Sequence, residues 1–321
     1  MKKKGKLRIK MILLFIGFNI VFSVILVPFV LFLGPFQSLK NVAVGAVATS
    51  RHPQVVQAFL SQDEISRIMN LNSSQSDSYG QDLDRKEVMT DKDLGITIED
   101  IQGRSFKGKV MLIKDPMRVK LAVTKEIGVT GERVTDLVKG MNAIAGINAG
   151  GFYDPNGKGN GAFPDGLTMK NGKLVHNNVG DKAVNIVGFD ENGKLVLGIM
   201  TAKQMEENKI REAVTFEPNL IVEGKLLIKG DGGWGIAPRT GIGQMADGTV
   251  IFVVIDGRQP TWSIGATLRD LMNVFADYNA VNAVNLDGGS SSEIVYDGKV
   301  INRLWNIFGE RYIPTGFVVT R

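Results

Sequence analysis

The chain has 321 residues, 44% of them hydrophobic, enough to bury a sizeable core in one large domain. It has no cysteine and only two histidines, His52 and His176, which excludes thiol nucleophiles, cysteine-zinc sites and disulfide frameworks and leaves carboxylates as the main acid and base groups. The net charge of +5 is localised: residues 1–40 hold seven Lys or Arg and no acid, while the other 281 residues carry 31 basic and 33 acidic side chains, so no nucleic-acid partner is expected.

In chain order, residues 1–10 form a basic tail (Lys2, Lys3, Lys4, Lys6, Arg8, Lys10), followed by an uncharged, apolar stretch over 11–34. At about 1.5 Å per residue, a helix of that length crosses a hydrocarbon core of roughly 30 Å. The basic tail stays cytoplasmic, which predicts a single-pass protein of the cell membrane with an extracytoplasmic C-terminal domain. Ala46-Val47-Ala48 resembles a cleavage site for a signal peptide but lies well past the apolar run, so an uncleaved anchor is expected. Residues 35–71 predict a juxtamembrane helical stalk, because Val55, Val56, Phe59, Leu60, Ile65, Ile68 and Met69 recur near helical spacing. Residues 72–93 are polar and aperiodic, predicting a flexible linker, and the globular domain is expected over 94–321.

Within that domain Asn171-Gly172, Asn192-Gly193, Asp247-Gly248 and Asp297-Gly298 sit between apolar runs as hairpin turns do, and Glu223-Gly224 is a weaker case. Helices are expected at 132–139, 201–210 and 266–278. The fold class is therefore α+β, with strand-rich mixed sheets and a few packed helices, preceded by one transmembrane helix. The segment 142–151 lines up with 279–288, each following a helix that contains Asp-Leu, which suggests a duplicated helix-strand unit whose loops meet at one cleft.

The apolar run 280–284 predicts a buried strand from which Asn285-Leu286-Asp287-Gly288-Gly289-Ser290-Ser291-Ser292 emerges. The glycines allow close approach of a ligand, and successive amides can form an anion nest. A second run, 249–255, ends in Asp256-Gly257-Arg258, and a helix connects it to the first. Strand, helix, strand predicts a right-handed crossover between parallel neighbours, with Asp256 and Asp287 at one sheet edge as an acid and base pair. Glu293 is a third catalytic candidate. Arg239 and Thr240, in Arg-Thr-Gly-Ile-Gly, and Arg258 offer phosphate ligands, while Asn148, Gly150, Gly151, Phe152 and Tyr153 add amide, bare backbone and aromatic faces suited to a sugar, and Asn285 is a further expected substrate contact. Gly288, Gly289, Ser290, Ser291 and Ser292 complete the expected substrate contacts; Asp154, Asp165, Asp231, Glu310 and Arg311 carry less support. Each Asp could instead cap a turn, and Arg239 could pair with a structural carboxylate.

Taken together, Asn148-Ala-Gly-Gly-Phe-Tyr, Arg239-Thr-Gly-Ile-Gly, Asp256-Gly-Arg, the helix carrying Leu268 and Leu271, and Asn285-Leu-Asp-Gly-Gly-Ser-Ser-Ser resemble the phosphodiester glycosidase family, in the expected order over residues 94–321. Ser290 stands where bacterial members often have a third glycine, and Ala149 where a glycine is frequent. The resemblance implies hydrolysis of a GlcNAc-1-phosphodiester-like bond at the anomeric carbon, in envelope or exopolysaccharide metabolism. For that reaction Asp287 is the expected nucleophile or base and Asp256 the supporting carboxylate, with the two roles open to exchange or Glu293 in place of Asp256. Two other functions fit the residues: a non-catalytic glycan-binding or assembly protein of polysaccharide synthesis, and a phosphodiesterase using Ca²⁺ or Mg²⁺ on Asp256, Asp287 and Asn side chains.

Overall fold

The computed structural model describes residues 2–48, 53–74, 83–155, 159–306 and 308–321. His52 and residues 75–82 of the expected linker lie outside them.

Helix α1 (Lys2–Leu33) contains a segment, Lys10–Leu33, that is long and apolar enough to cross a membrane, with a mean hydropathy of 2.6. The stalk expectation becomes three helices, α2 (Gln37–Ala48), α3 (Gln54–Gln57) and α4 (Gln62–Ser74). These helices fold back on the end of α1, where Phe32, Val44, Val56, Ile65 and Ile68 share a buried cluster and Phe59 packs on Phe29 and Phe32. The linker is shorter than expected. Strand β1 (Asp84–Asp91) pairs along β2 (Ile96–Gln102), so regular structure resumes at Asp84 rather than near Leu94. The strand escaped sequence reading because it is an edge strand with both faces largely exposed, so it has no hydrophobic alternation to read.

Next come β3 (Lys107–Ile113), β4 (Val119–Val123), helix α5 (Val134–Gly140), β5 (Ala143–Asn148), β6 (Leu167–Lys170), β7 (Lys173–Asn177), β8 (Val184–Asp190) and β9 (Leu195–Met200). Helix α6 (Ala202–Glu207), β10 (Ile210–Thr215), β11 (Asn219–Val222), β12 (Lys225–Leu226), β13 (Arg239–Met245), β14 (Val250–Ile255) and helix α7 (Leu268–Asp277) follow. Strands β15 (Ala280–Leu286), β16 (Ile294–Tyr296), β17 (Lys299–Val300) and β18 (Thr315–Thr320) complete the chain. They form an eight-stranded sheet, β1-β2-β3-β14-β13-β15-β11-β12, and two five-stranded sheets, β7-β6-β10-β8-β9 and β17-β16-β5-β18-β4. The α+β class holds. The five turn dipeptides all lie in hairpins, and at Asn171-Gly172, Glu223-Gly224 and Asp297-Gly298 both residues have positive φ, as a type I′ turn requires.

One expectation needs correcting. Strands β14 and β15 run in the same direction but are not neighbours, because β13 lies between them and pairs antiparallel with both. The glycines of Arg-Thr-Gly-Ile-Gly explain why β13 can sit there. A Cβ on Gly241 or Gly243 would come within 2.8 Å of the Phe275 ring, so these bare positions let α7 close down on the sheet. Helix α7 itself is set by a capping box at Thr267 and Asp270, and it buries Leu268, Leu271 and Phe275 against Ile251 and Val253.

The opposite face of the large sheet supplies Met111, Phe252 and Val284 to the central core, where Ile147, Phe189 and Phe317 arrive from the other two sheets. Helix α5 covers the outer face of the β5 sheet through Val134, Leu137 and Val138. The helix-strand duplication is visible in detail: α5 and α7 each end at a left-handed asparagine, Asn142 (φ 49°) and Asn279 (φ 56°), before entering β5 and β15.

Candidate active site

The ends of β5 and β15 meet. The Asp287 amide donates to the Ala149 carbonyl at 3.0 Å, and Asn148 Nδ2 donates to the Asp287 carbonyl at 2.5 Å. Asn148 is fully buried, and its Oδ1 accepts from the Thr240 hydroxyl at 2.8 Å and the Glu293 amide at 3.1 Å. This one amide therefore ties four segments together behind Asp287 instead of facing a ligand. Asn285 is also buried, with Nδ2 donating to the Glu217 carbonyl at 3.0 Å.

In front of that knot is a cavity of about 260 Å³. Asp287, Gly288, Gly289 and Ser290 form one wall, and Asp154, Phe216, Trp234 and Ala237 line it elsewhere. Three arginines, Arg239, Arg258 and Arg311, line the same space. Arg239 starts β13 level with the ends of both neighbours, since it pairs with Ile255 while Thr240 pairs with Leu286. Its Nε donates to the Ala266 carbonyl, and its Nη2 to the carbonyls of Trp234 and Gly235 at 3.2 and 2.7 Å. Burial, and secondarily the neighbouring Arg258 charge, push its pKa down to about 10, so it remains a cation at neutral pH.

Arg258 stacks over Trp305 at 5.2 Å and adopts φ +58°, a conformation that L residues rarely hold. Its guanidinium also lies against Gly289, where an added Cβ would sit 3.5 Å from Nη1 and Nη2. Arg311 lies 4.6 Å over the Phe152 ring, pairs with Asp154 at 2.5 Å and donates to Ser290 Oγ at 3.1 Å.

The cavity therefore gathers Asp287, Arg239, Arg258, Gly288, Gly289 and Ser290 from among the expected residues. Others fall elsewhere. Asp256 and Asp287 open onto different spaces, because Asp256 lines a second cavity of about 480 Å³ together with Lys107, Trp262 and Arg303. Its carboxylate already accepts from Trp262 Nε1 at 2.8 Å and from Asn302 Nδ2 and the Arg303 amide, both at 3.1 Å. Burial nonetheless raises its pKa.

Glu293 is buried beside Glu310 and lines neither cavity. Burial first, and the Glu310 carboxyl second, push its pKa up to about 10, so it carries a proton at neutral pH. Thr240 is fully buried; Gly150 and Gly151 pack against Val214 and Phe216; and Phe152 serves Arg311 as a platform. Ser291 and Ser292 are buried, with hydroxyls that have no partner.

The amide nest is largely occupied. Asp287 N–H donates to Ala149, Gly289 N–H to Pro238 and Ser291 N–H to Gly288. Positive charge at the cavity thus comes from arginine side chains. His176 lies on β7 and lines neither cavity. Among the described residues, no three His, Cys, Asp or Glu cluster to hold a metal ion.

Phe216 and Trp234, in edge contact at 6.4 Å, were not anticipated. Only their position before Pro218 and between Gly233 and Gly235 hinted at a special loop.

Comparison with known proteins bears on this arrangement. Residues 141–320 match the family model described as phosphodiester glycosidase, more than half of the chain and all of the cavity. An uncharacterized SPbeta prophage-derived protein of Bacillus subtilis is 30% identical over 182 residues, which cover 54% of this chain and 27% of that relative's length. Among solved structures, the catalytic domain of zebrafish N-acetylglucosamine-1-phosphodiester alpha-N-acetylglucosaminidase, auto-inhibited by its pro-peptide, superposes with a TM-score of 0.60 at 23% identity, covering 78% of this chain and 87% of that one. A putative exported protein of Burkholderia pseudomallei has a TM-score of 0.52 at 19% identity, covering 67% of this chain and 74% of its own. These two likenesses concern the fold.

Proposed function

The chain belongs to the phosphodiester glycosidase family, and from that premise we propose that it hydrolyses a sugar-1-phosphodiester resembling a GlcNAc-1-phosphodiester. The observation that carries this reading is the grouping of Arg239, Arg258 and Arg311 around one cavity with Asp287 in its wall. Guanidinium forks suit a phosphodiester, whose charge grows as the bond to the sugar breaks. Asp287 supplies the carboxylate for the anomeric carbon. Water adds to that carbon, the bond to the phosphate-bearing oxygen breaks, and its electron pair leaves with the phosphate. The proton of the attacking water passes to Asp287, or Asp287 attacks first and water releases the sugar from it. Phosphate is a good leaving group under three positive charges, so the reading needs little from a proton donor. In this reading Asp256, which lines the other cavity, and Glu293, which lines neither, are supporting carboxyl groups and Asp287 alone meets the anomeric carbon.

In this reading α1 is an uncleaved anchor with its basic tail in the cytoplasm. The domain faces outward and serves envelope or exopolysaccharide metabolism. Product analysis on a labelled GlcNAc-1-phosphodiester tests the activity. The full chain should release free GlcNAc and a phosphomonoester, and Asp287→Asn should lower turnover at least about a hundredfold with the fold intact. Release of GlcNAc-1-phosphate would identify cleavage on the far side of phosphorus and refute the glycosidase assignment.

A further inference from the structure

The juxtamembrane helices are built into the wall of the cavity. A Cβ on Gly45 of α2 would come within 2.9 Å of the Gly233 carbonyl oxygen and 3.0 Å of the Gly235 nitrogen, so helix backbone and loop backbone are in direct contact there. Trp234, between those two glycines, lines the cavity, and the carbonyls of Trp234 and Gly235 hold Arg239. One residue before Gly45, Val44 is buried in the same cluster as Phe32, at the end of the apolar segment Lys10–Leu33. A single helix therefore separates the end of that segment from the cavity wall, a distance of roughly one helix diameter, about 10 Å.

Exposed aromatic rings also adjoin residues that line the cavity. Trp305, which carries Arg258, is 41% exposed; Tyr312, stacked with Arg133 and next to the cavity residue Arg311, is 45% exposed; Tyr153, next to Asp154, is 61% exposed. Amphipathic rings of this kind settle at the headgroup level of a bilayer.

We propose that the cavity works at the membrane surface on a membrane-embedded substrate, a glycosyl phosphodiester whose alcohol is a long-chain lipid. This rests on the glycosidase reading and on α1 being the anchor. Enzyme and substrate are then confined to one plane, which raises their effective concentration without any added contact in the site. The aromatic rim would rest among the headgroups while the sugar phosphate rises into the arginines.

The test uses the full chain in phosphatidylglycerol and phosphatidylethanolamine vesicles. It compares two substrates with the same GlcNAc-1-phosphate head, one esterified to a polyprenol and the other to methanol. The proposal expects kcat/KM at least about tenfold higher for the polyprenyl ester, with a rate that follows its mole fraction in the bilayer and not its bulk concentration. Dissolving the vesicles in detergent should dilute this advantage while leaving the methyl ester unaffected. Equal turnover of both esters in vesicles, or turnover of the methyl ester alone, overturns the proposal and leaves the glycosidase reading intact. Turnover of neither overturns both.

Discussion

Glu293→Gln isolates an energetic cost built into the domain. The Glu293 carboxyl is 2% exposed and holds its proton up to about pH 10, whereas its ordinary value is 4.5. Between those limits the folded protein binds one proton more than the unfolded chain. Stability then falls as pH rises, by about 1.4 kcal/mol per unit. The full contribution is present below about pH 4.5, declines through the neutral range and stops declining above about 10. Across three units, from pH 5.5 to 8.5, the loss is on the order of 4 kcal/mol, and it does not depend on the upper limit so long as that stays above 8.5. Glutamine matches the shape of the protonated acid, keeps a donor for Glu310 and cannot ionise. Urea unfolding of the full chain in detergent, followed by the fluorescence of Trp234, Trp262 and Trp305, measures the difference. The variant should lose about 1.4 kcal/mol per pH unit of slope and exceed the parent in stability at pH 8.5. Equal slopes, or a variant less stable at pH 8.5, would refute a protonated Glu293.

The remaining predictions concern the cavity and its support. Asn148→Ala strands the Thr240 hydroxyl, the Glu293 amide and the Asp287 carbonyl, and should cost about 2–4 kcal/mol in urea unfolding while also lowering kcat, because Asp287 loses its tether. Gly243→Ala should cost about 1–3 kcal/mol by overpacking Phe275, and Phe275→Leu in the same chain should recover part of it in a double-mutant cycle. Ser290→Gly removes the hydroxyl that receives Arg311 and should raise KM severalfold with a smaller change in kcat, measured on the GlcNAc-1-phosphodiester. With three arginines lining the cavity, the proposed function expects kcat/KM for the anionic phosphodiester to fall as salt rises from 0.01 to 0.15 M, and the fall to be shallower in Arg258→Gln.

Local rules carried far in this sequence. Turn dipeptides located five hairpins, because a positive φ is a demand that the glycine of each dipeptide answers without help from distant residues. The paired segments at 142–151 and 279–288 occupy matching helix-to-strand junctions, each with a left-handed asparagine. Reading failed where position depends on which strand lies beside which. Asp256 and Asp287 do leave the sheet at the same end, but nothing local indicates that β13 separates them. Likewise, the glycines beside Arg239 look like a phosphate loop, and only the Phe275 ring shows that they admit a helix. Arg311 and Asp154 drew little weight because neither follows a strand; they reach the cavity from loops 157 positions apart, paired with each other.

The backbone of Arg258 has a practical bearing on engineering this protein. Holding a bulky side chain at φ +58° costs about 1–2 kcal/mol, which glycine or asparagine would mostly recover. A variant library ranked by melting temperature should therefore enrich Arg258→Gly and Arg258→Asn, the very changes that take a guanidinium away from the cavity. Under the proposed function, selection for heat resistance would act here as selection against catalysis, and position 258 should be kept fixed in any such campaign.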